Sequence, residues 1–220
     1  YRGCPFGAYF SSNSSTLPWA AKTGNLTILP NSVVHSILYD DKSGKATGVL
    51  VIDSETKKTT EYNARIIFMN ASCLNTNLIA LNSTSSRFPN GLGNDSGLLG
   101  KFMAFHNYRG TITASVDGFH DKYYYGRKPT QVMMPNFRNF GKQDMEFVGG
   151  YMAFMGCYRT RGKENAVNEL MGEELKNVMS EAGLWGMYMY MQGETVPKYS
   201  NRVYLSKEKK DAWGIPLLVT

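Results

Sequence analysis

A glycine-rich stretch from Ser86 to His106 contains the residues whose spacing comes nearest to a nucleotide-binding motif. Residues 91–96, Gly-Leu-Gly-Asn-Asp-Ser, follow the order G-x-G-x-x-G except that serine replaces the last glycine. In dinucleotide-binding proteins this loop joins a buried strand to a helix, whose N–H groups reach the pyrophosphate. Here a polar segment ending in Pro89 precedes it, and Phe102 replaces the Ser or Thr of a P-loop. The stretch therefore predicts tight backbone turns rather than a phosphate site.

The cysteines and the other polar clusters lack the arrangement that catalysis or metal binding requires. Cys4, Cys73 and Cys157 are widely separated and form no C-x-x-C pair, which argues against a zinc site or a disulfide framework. We expect Cys73 and Cys157 to be core thiols, and residues 117–121 to form a polar turn. The sequence thus predicts no metal site and no catalytic side chain.

The composition is that of a globular protein. Of the 220 residues, 42% are hydrophobic and 19% are charged, and the formal net charge is +6. Basic residues are dispersed, and the densest run, residues 207–211, also contains acids, so a nucleic-acid partner is not favoured. No apolar run has the length of a membrane-spanning helix. We expect a soluble protein, cytoplasmic or periplasmic, without a transmembrane segment.

The first half of the chain reads as a β-meander followed by one further strand and a helix. Strands are predicted over 25–29 together with 33–39 as the first arm, over 46–53 and over 58–62, with a turn at residues 40–44, where Asp, Ser and Gly tolerate the dihedrals. The apolar run Arg65–Met69 predicts a short strand buried on both faces, as in a parallel sheet. A helix is predicted over 75–82.

The second half predicts an antiparallel sheet with a covering helix. Strands are expected over 108–116, 147–157 and 187–191, the last with Met and Tyr alternating between the two faces. Apolar residues at helical spacing predict a helix over 164–182, with Gly183 as its C-cap. The fold class is therefore α+β, an antiparallel layer with covering helices beside the meander.

Four segments, in this order, resemble the glucose-methanol-choline (GMC) oxidoreductases, which are FAD-dependent enzymes that oxidise sugars and alcohols. They are Gly7–Ile28 with Ser11-Ser12-Asn13-Ser14, Val33–Val49, Ile66–His106, and Asn201–Pro216 with Asp211-Ala212-Trp213-Gly214-Ile215-Pro216. The family's glycine fingerprint and its histidine-bearing catalytic region have no counterpart in this sequence. The resemblance therefore implies an internal piece of a longer enzyme.

The resemblance implies two cofactor-binding residues and no catalytic one. Val34 matches a strand residue that offers backbone N–H and C=O groups to the adenine of FAD, with an ordinary core valine as the alternative. Ala71 follows the predicted buried strand where the family chain passes close to the cofactor, and simple close packing is the alternative there. FAD is expected in the complete enzyme and not in this chain alone.

The resemblance also divides the chain and assigns its function. Residues 1–106 are expected to be a partial FAD-binding domain, and residues 107–220 a substrate-binding domain. The function implied is oxidation of CH–OH groups of sugars, polyols or other alcohols by hydride transfer to flavin, with this chain alone inactive. The electron acceptor is left open, and the alternative is an inactive binding or scaffold domain descended from such an enzyme.

Two groups of aromatic residues have a possible role in substrate binding. Tyrosines and methionines of residues 123–125 and 187–191 could line a sugar site, although sheet packing with cross-strand aromatic pairs is the favoured interpretation. Tyr123, Tyr124 and Tyr125 are interpreted as part of a substrate-gating loop.

Overall fold

The chain folds into two compact units, each with its own antiparallel sheet. The computed structural model describes residues 10–121, 131–136, 138, 141–143, 145–146, 149–161 and 166–220. One unit extends to Gly100 and includes Val203–Thr220, and the other is Lys101–Arg202. Residues 203–220 thus lie with the first unit, whereas the sequence grouped them with the second. The assignment of the two units to cofactor and substrate stays a prediction.

The described elements follow one another as short helices and longer strands, as the α+β class requires. In chain order they are α1 Thr16–Lys22, β1 Ser32–Asp40, β2 Lys45–Asp53, β3 Thr59–Asn63, α2 Ser72–Asn82, β4 Asn107–Val116, β5 Val132–Pro135, β6 Tyr151–Arg161, α3 Ala166–Glu169, α4 Gly172–Ser180, β7 Ala182–Gly193, β8 Tyr204–Lys210 and β9 Pro216–Val219. In the part of the chain that the structure describes, no helix is long and apolar enough to cross a membrane.

The predicted meander is confirmed as an antiparallel sheet in the order β1-β2-β3, but residues 25–29, predicted as part of its first arm, form no strand. The turn between β1 and β2 forms where Asp, Ser and Gly predicted it. The Asp40 carboxylate accepts the N–H groups of Lys42 at 3.1 Å and Ser43 at 3.2 Å, and Gly44 has a φ of 67°. Hydrogen bonds from Ser43 and then from the Lys42 N–H lower the pKa of Asp40. The turn is therefore fixed by its own side chain.

The strand predicted over Arg65–Met69 is wrong. The segment forms no strand, and its side chains are not buried, since Ile66 is 73% exposed and Phe68 81% exposed. All strand pairs among the described residues are antiparallel. A short apolar run becomes a buried strand only where neighbouring strands satisfy its backbone groups, and no described strand pairs with it.

Helix α2 packs against β1 and β8 and closes the core of the first unit. The buried apolar residues there are Ile37, Val51, Ile52, Ile79, Ala80, Val203 and Ile215. The buried hydroxyl of Ser83 donates to the Ile79 carbonyl at 2.6 Å and accepts the Ile37 N–H at 2.8 Å. This hydroxyl ties the end of α2 to β1. The helix predicted over 75–82 is confirmed and begins three residues earlier.

The glycine-rich stretch makes the tight turns that its composition predicts. Gly91, Gly93, Gly97 and Gly100 all have positive φ angles, between 69° and 108°. The loop is held against the core of the first unit, because the Leu92 N–H donates to the Ala80 carbonyl at 2.9 Å and the Val203 N–H donates to the Gly100 carbonyl at 2.7 Å. Its role here is structural.

The second unit is built on a four-stranded antiparallel sheet in the order β4-β7-β6-β5. The three strands predicted here are present, with β6 beginning later and β7 longer than expected. The single helix predicted over 164–182 is wrong, because Leu170 and Met171 separate α3 from α4, with Met171 extended and Gly172 at the start of α4 having a φ of 61°. Gly183 lies within β7 and is not a C-cap. The helical periodicity of the apolar residues did not reveal this break.

Both cysteines predicted to be core thiols are exposed, which corrects that prediction. Cys73 lies in the first turn of α2, and Cys157 lies on β6. Their apolar sequence neighbours suggested burial. In a strand or a helix, the position of a residue in the repeat decides whether its side chain faces the core or the solvent. An apolar neighbour in the sequence therefore does not show that a cysteine is buried.

Candidate functional site

The first candidate site lies along the edge of β1, where the sequence placed Val34. β1 is at one end of its sheet, and Val34 pairs with Val51 just before a register shift at His35. Val34 is half-buried. The imidazole Nδ1 of His35 lies 3.0 Å from the Ser36 hydroxyl. An edge strand presents backbone N–H and C=O groups at fixed spacing, which is the requirement for recognising the edge of a flat base.

Ala71 is the N-cap residue of α2 and is half-buried. It follows the extended segment 65–69, and Ser72 beside it has a left-handed φ of 66°. α2 packs on β1, so the elements that carry Ala71 and Val34 are neighbours in one unit. The side chain of Ala71 is a single methyl group, the smallest of any residue except glycine. This is the steric property that the sequence argument assigned to it.

The second candidate site is one face of the four-stranded sheet in the second unit. The register pairs Thr113 with Tyr188 and Gly156 with Tyr188, and pairs Phe154 with Tyr190. Because side chains alternate along each strand, these partners share one face. We call this the aromatic face, and its members on the three longer strands are Thr111, Thr113, Ser115, Met152, Phe154, Gly156, Tyr158, Gly186, Tyr188, Tyr190 and Gln192.

The middle of the opposite side of the same sheet carries aliphatic, thioether and thiol side chains, whereas Tyr151, Arg159 and Trp185 lie toward the ends of its strands. We call it the methionine face, and its members are Gly110, Ile112, Ala114, Val132, Met134, Ala153, Met155, Cys157, Met187, Met189 and Met191. The alternation of Met and Tyr predicted for residues 187–191 is confirmed by this register. The methionine face has the composition of a packing surface.

The rings of the aromatic face lie nearly parallel to one another. The centroids of Phe154 and Tyr190 are 5.1 Å apart at an interplanar angle of 16°, and those of Tyr188 and Tyr190 are 6.3 Å apart at 10°. The side-chain amide of Gln131 donates to the Tyr190 hydroxyl at 3.2 Å. The three rings therefore form an ordered, co-oriented group.

Two glycines let tyrosine rings lean across the neighbouring strand. A Cβ added to Gly156 would lie 2.5 Å from the Tyr188 hydroxyl oxygen, and one added to Gly186 would lie 2.5 Å from Cζ of Tyr158. Each tyrosine thus occupies the space that its cross-strand partner leaves empty. The arrangement is reciprocal, with Tyr188 leaning from β7 onto β6 and Tyr158 leaning from β6 onto β7.

Sequence reasoning found only part of this face. The alternation of residues 187–191 pointed to its tyrosines, but it did not point to Gly156, Tyr158 or Phe154 as parts of a site. The available signal was a tyrosine on each of two strands and a glycine on each. Their pairing depends on the register between distant strands, which the sequence does not give.

Three other predictions from the sequence concerned a polar turn, a loop of tyrosines and metal binding. Nε2 of His120 lies 3.0 Å from an Asp117 carboxylate oxygen on the surface, which matches the predicted polar turn. Tyr123, Tyr124 and Tyr125 lie outside the described residues. Within the described ranges, no three His, Cys, Asp or Glu side chains cluster as metal ligands would.

Comparison with known proteins identifies relatives of both halves of the chain. Residues 1–106 match the family model described as GMC oxidoreductase. The chain is 28% identical over 180 residues to a 2-methyl-1,2-propanediol dehydrogenase of Mycolicibacterium austroafricanum, a match that covers 80% of this chain and 32% of the relative. It is 27% identical over 219 residues to a fructose dehydrogenase large subunit of Gluconobacter japonicus, covering 97% of this chain and 38% of that protein. The chain therefore spans about a third of the length of these relatives.

Proposed function

We propose that this chain is part of an FAD-dependent enzyme that oxidises CH–OH groups, because residues 1–106 match the family model described as GMC oxidoreductase. The observation that carries the proposal is the family match over the unit that contains the meander. The match to the fructose dehydrogenase large subunit, which extends over 97% of the chain, supports it for the second unit. Sugars, polyols and short diols are the substrate classes consistent with the names of the two relatives.

FAD would supply the acceptor for the two electrons of the alcohol, and this chain would contribute to holding it. The residues present fit a contact with the adenine part, because Val34 lies on β1, the end strand of its sheet, and the small residue Ala71 lies at the start of α2. Among the described helices, none begins at a glycine-rich loop that would hold a pyrophosphate. The chain alone is therefore expected to bind FAD weakly.

The alternative function is a binding or scaffold domain that has lost the chemistry. No acid, base or nucleophile of the described residues is assigned a catalytic role, and this is what favours the alternative. The two functions differ in one measurable property. An enzyme transfers electrons from an alcohol to an acceptor, whereas a scaffold does not.

A substrate screen on the full-length gene product tests the proposal. The purified protein, supplied with FAD and an artificial electron acceptor, is assayed with D-fructose, D-glucose, glycerol and 2-methyl-1,2-propanediol. We expect acceptor reduction with at least one of these alcohols. Failure of all of them with a protein that binds FAD would favour the scaffold.

Ala71→Leu is expected to weaken FAD binding by the full-length product about tenfold or more, because the larger side chain would occupy the space next to the cofactor. The dissociation constant is measured by titrating the apoprotein with FAD and following flavin fluorescence. Ala71→Gly is the matched control and should bind FAD as the wild type does. Equal affinity in all three proteins would show that the cofactor does not pass Ala71.

Val34→Ala should leave FAD affinity within about twofold, since the proposed contact uses the backbone and not the side chain. The same titration measures it. A large loss of affinity on this substitution, with an unchanged melting temperature, would contradict a backbone contact.

A further inference from the structure

We propose that four sulfur-bearing side chains on the methionine face bind one Cu(I) ion. They are Cys157 and Met155 of β6 and Met187 and Met189 of β7, and we call them the sulfur cluster. None of the four is assigned to FAD. The inference therefore does not depend on whether the chain is part of an oxidoreductase.

The register of the sheet brings the four side chains together. Cys157 lies opposite Met187, and Met155 lies opposite Met189. Directly opposed side chains have Cβ atoms roughly 4.5–5.5 Å apart, and residues two apart on one strand share a face about 6.5 Å apart. The four Cβ atoms therefore form a small rectangle. Because the methionine side chain is unbranched and flexible, each thioether can turn its sulfur toward the centre.

The two other methionines of this face, Met134 and Met191, are not assigned to the cluster. A Cβ added to Gly110 would lie 2.5 Å from Cε of Met191, so this side chain leans over β4 and away from β6. Met134 lies on β5 and pairs with Ala153, so β6 separates it from the thioethers of β7. The ligand set is therefore confined to the four residues of the sulfur cluster.

The chemistry of these donors selects a soft, singly charged metal ion. Thiolate and thioether sulfurs suit Cu(I), whereas Mg²⁺ and Ca²⁺ take oxygen ligands. Cys157 would release its thiol proton on binding, and the single negative charge of the thiolate balances the single positive charge of Cu(I). A divalent ion would keep an uncompensated charge beside the aliphatic side chains of Ile112, Ala114 and Ala153, which is unfavourable.

The sulfur cluster is accessible in this chain. Cys157 is exposed and Met187 is 49% exposed, whereas Met155 and Met189 are half-buried. The two exposed sulfurs can receive an ion from solution, and the two half-buried ones can complete its coordination. If residues outside this chain covered the face in the full-length product, no ion could enter.

The sequence argument against a metal site concerned the spacing of the cysteines, and it did not consider thioethers. Residues Met155 and Cys157 meet Met187 and Met189 only through the register of β6 against β7. Three of the four donors are thioethers, so the cluster is compatible with the lack of grouped His, Cys, Asp and Glu ligands in the described ranges.

Competition for Cu(I) with the coloured chelator bicinchoninate, without oxygen, measures the site on the full-length product. We expect the wild type to take one more equivalent of Cu(I) from the chelator than Cys157→Ser does. Cys157 is exposed, so serine should be tolerated there. Met187→Leu keeps the side-chain volume and removes the sulfur, and it should weaken binding of that equivalent at least about tenfold.

Two matched controls separate ligation from general effects of the substitutions. Met133→Leu makes the same change at an exposed methionine of the same sheet, but on the aromatic face, where Met133 pairs with Phe154. Cys73→Ser removes the exposed thiol of α2 in the first unit. Neither variant should change the number of Cu(I) ions bound or their affinity.

Alkylation by iodoacetamide locates the ion, because a metal-bound thiolate is no longer a free nucleophile. Bound Cu(I) should slow alkylation of Cys157 at least about tenfold and leave that of Cys73 unchanged, as read by mass spectrometry of the digested protein. Equal protection of both cysteines, or of neither, would contradict the assignment.

The other outcomes are equally clear. Equal Cu(I) uptake by the wild type and Cys157→Ser would overturn the site, and so would equal affinities in Met187→Leu and Met133→Leu. Cu(I) binding in the expected pattern by a protein that oxidises no alcohol would refute the oxidoreductase and keep the metal site.

Discussion

Gly100→Ala is expected to destabilise the first unit by about 3 kcal/mol, a loss of roughly 6–12 °C in melting temperature for a chain of this size. Gly100 has a φ of 77°, a conformation that costs any other L-residue about 1–2 kcal/mol. An added Cβ would also lie 2.5 Å from the carbonyl oxygen of Val203. Val203 is buried and its N–H is bonded to the Gly100 carbonyl, so the backbone cannot withdraw cheaply.

Gly97→Ala separates the two contributions to this loss. Gly97 has a similar φ of 69°, but an added Cβ would meet no atom within 4 Å. It should therefore lose about 1 kcal/mol, from backbone strain alone. Thermal unfolding followed by circular dichroism measures both variants. Equal losses in the two would mean that the approach of Gly100 to Val203 contributes nothing.

Phe68→Asp is expected to have little effect on the 220-residue chain and a large effect on the full-length product. In the 220-residue chain, Phe68 is 81% exposed, so the melting temperature should change by no more than about 2 °C. In the full-length product, we propose that residues outside this chain cover segment 65–69 and that Phe68 becomes buried. A carboxylate there would be unpaired, and it should abolish soluble, flavin-containing protein.

Phe68→Leu is the matched control, because it keeps an apolar side chain at the same position. It should yield flavin-containing protein in the full-length product with at most a modest loss of stability. Both variants are compared by soluble yield and by the visible absorbance of bound flavin. Normal flavin content in full-length Phe68→Asp would show that Phe68 stays exposed in the full-length product.

Local chemistry made much of the fold predictable from the sequence. The Asp40–Gly44 turn was predictable because Asp, Ser and Gly each favour its dihedrals, and the strands beside it alternate clearly. The positive φ angles of the glycine-rich stretch followed from composition. Segment 65–69 was mispredicted because an apolar run forms a buried strand only if neighbouring strands pair with it. No described strand pairs with this segment.

The candidate sites were harder to predict because they depend on pairs of distant residues. Val34 and Ala71 came from resemblance to a family, and the structure adds their elements and burial without testing their role. Tyr188 was visible in a strict alternation, but its position over Gly156 requires the register of β6 against β7. Alternation within one strand is local, whereas register is set by the packing of the whole sheet.

The most direct test of the central claim is the visible absorbance spectrum of the full-length gene product, recorded without oxygen before and after addition of an alcohol. The claim is that this chain is part of a flavoenzyme that takes electrons from CH–OH groups. It predicts stoichiometric bound FAD whose absorbance is bleached by at least one sugar, polyol or diol. A folded, colourless protein that takes up no FAD on titration would contradict it.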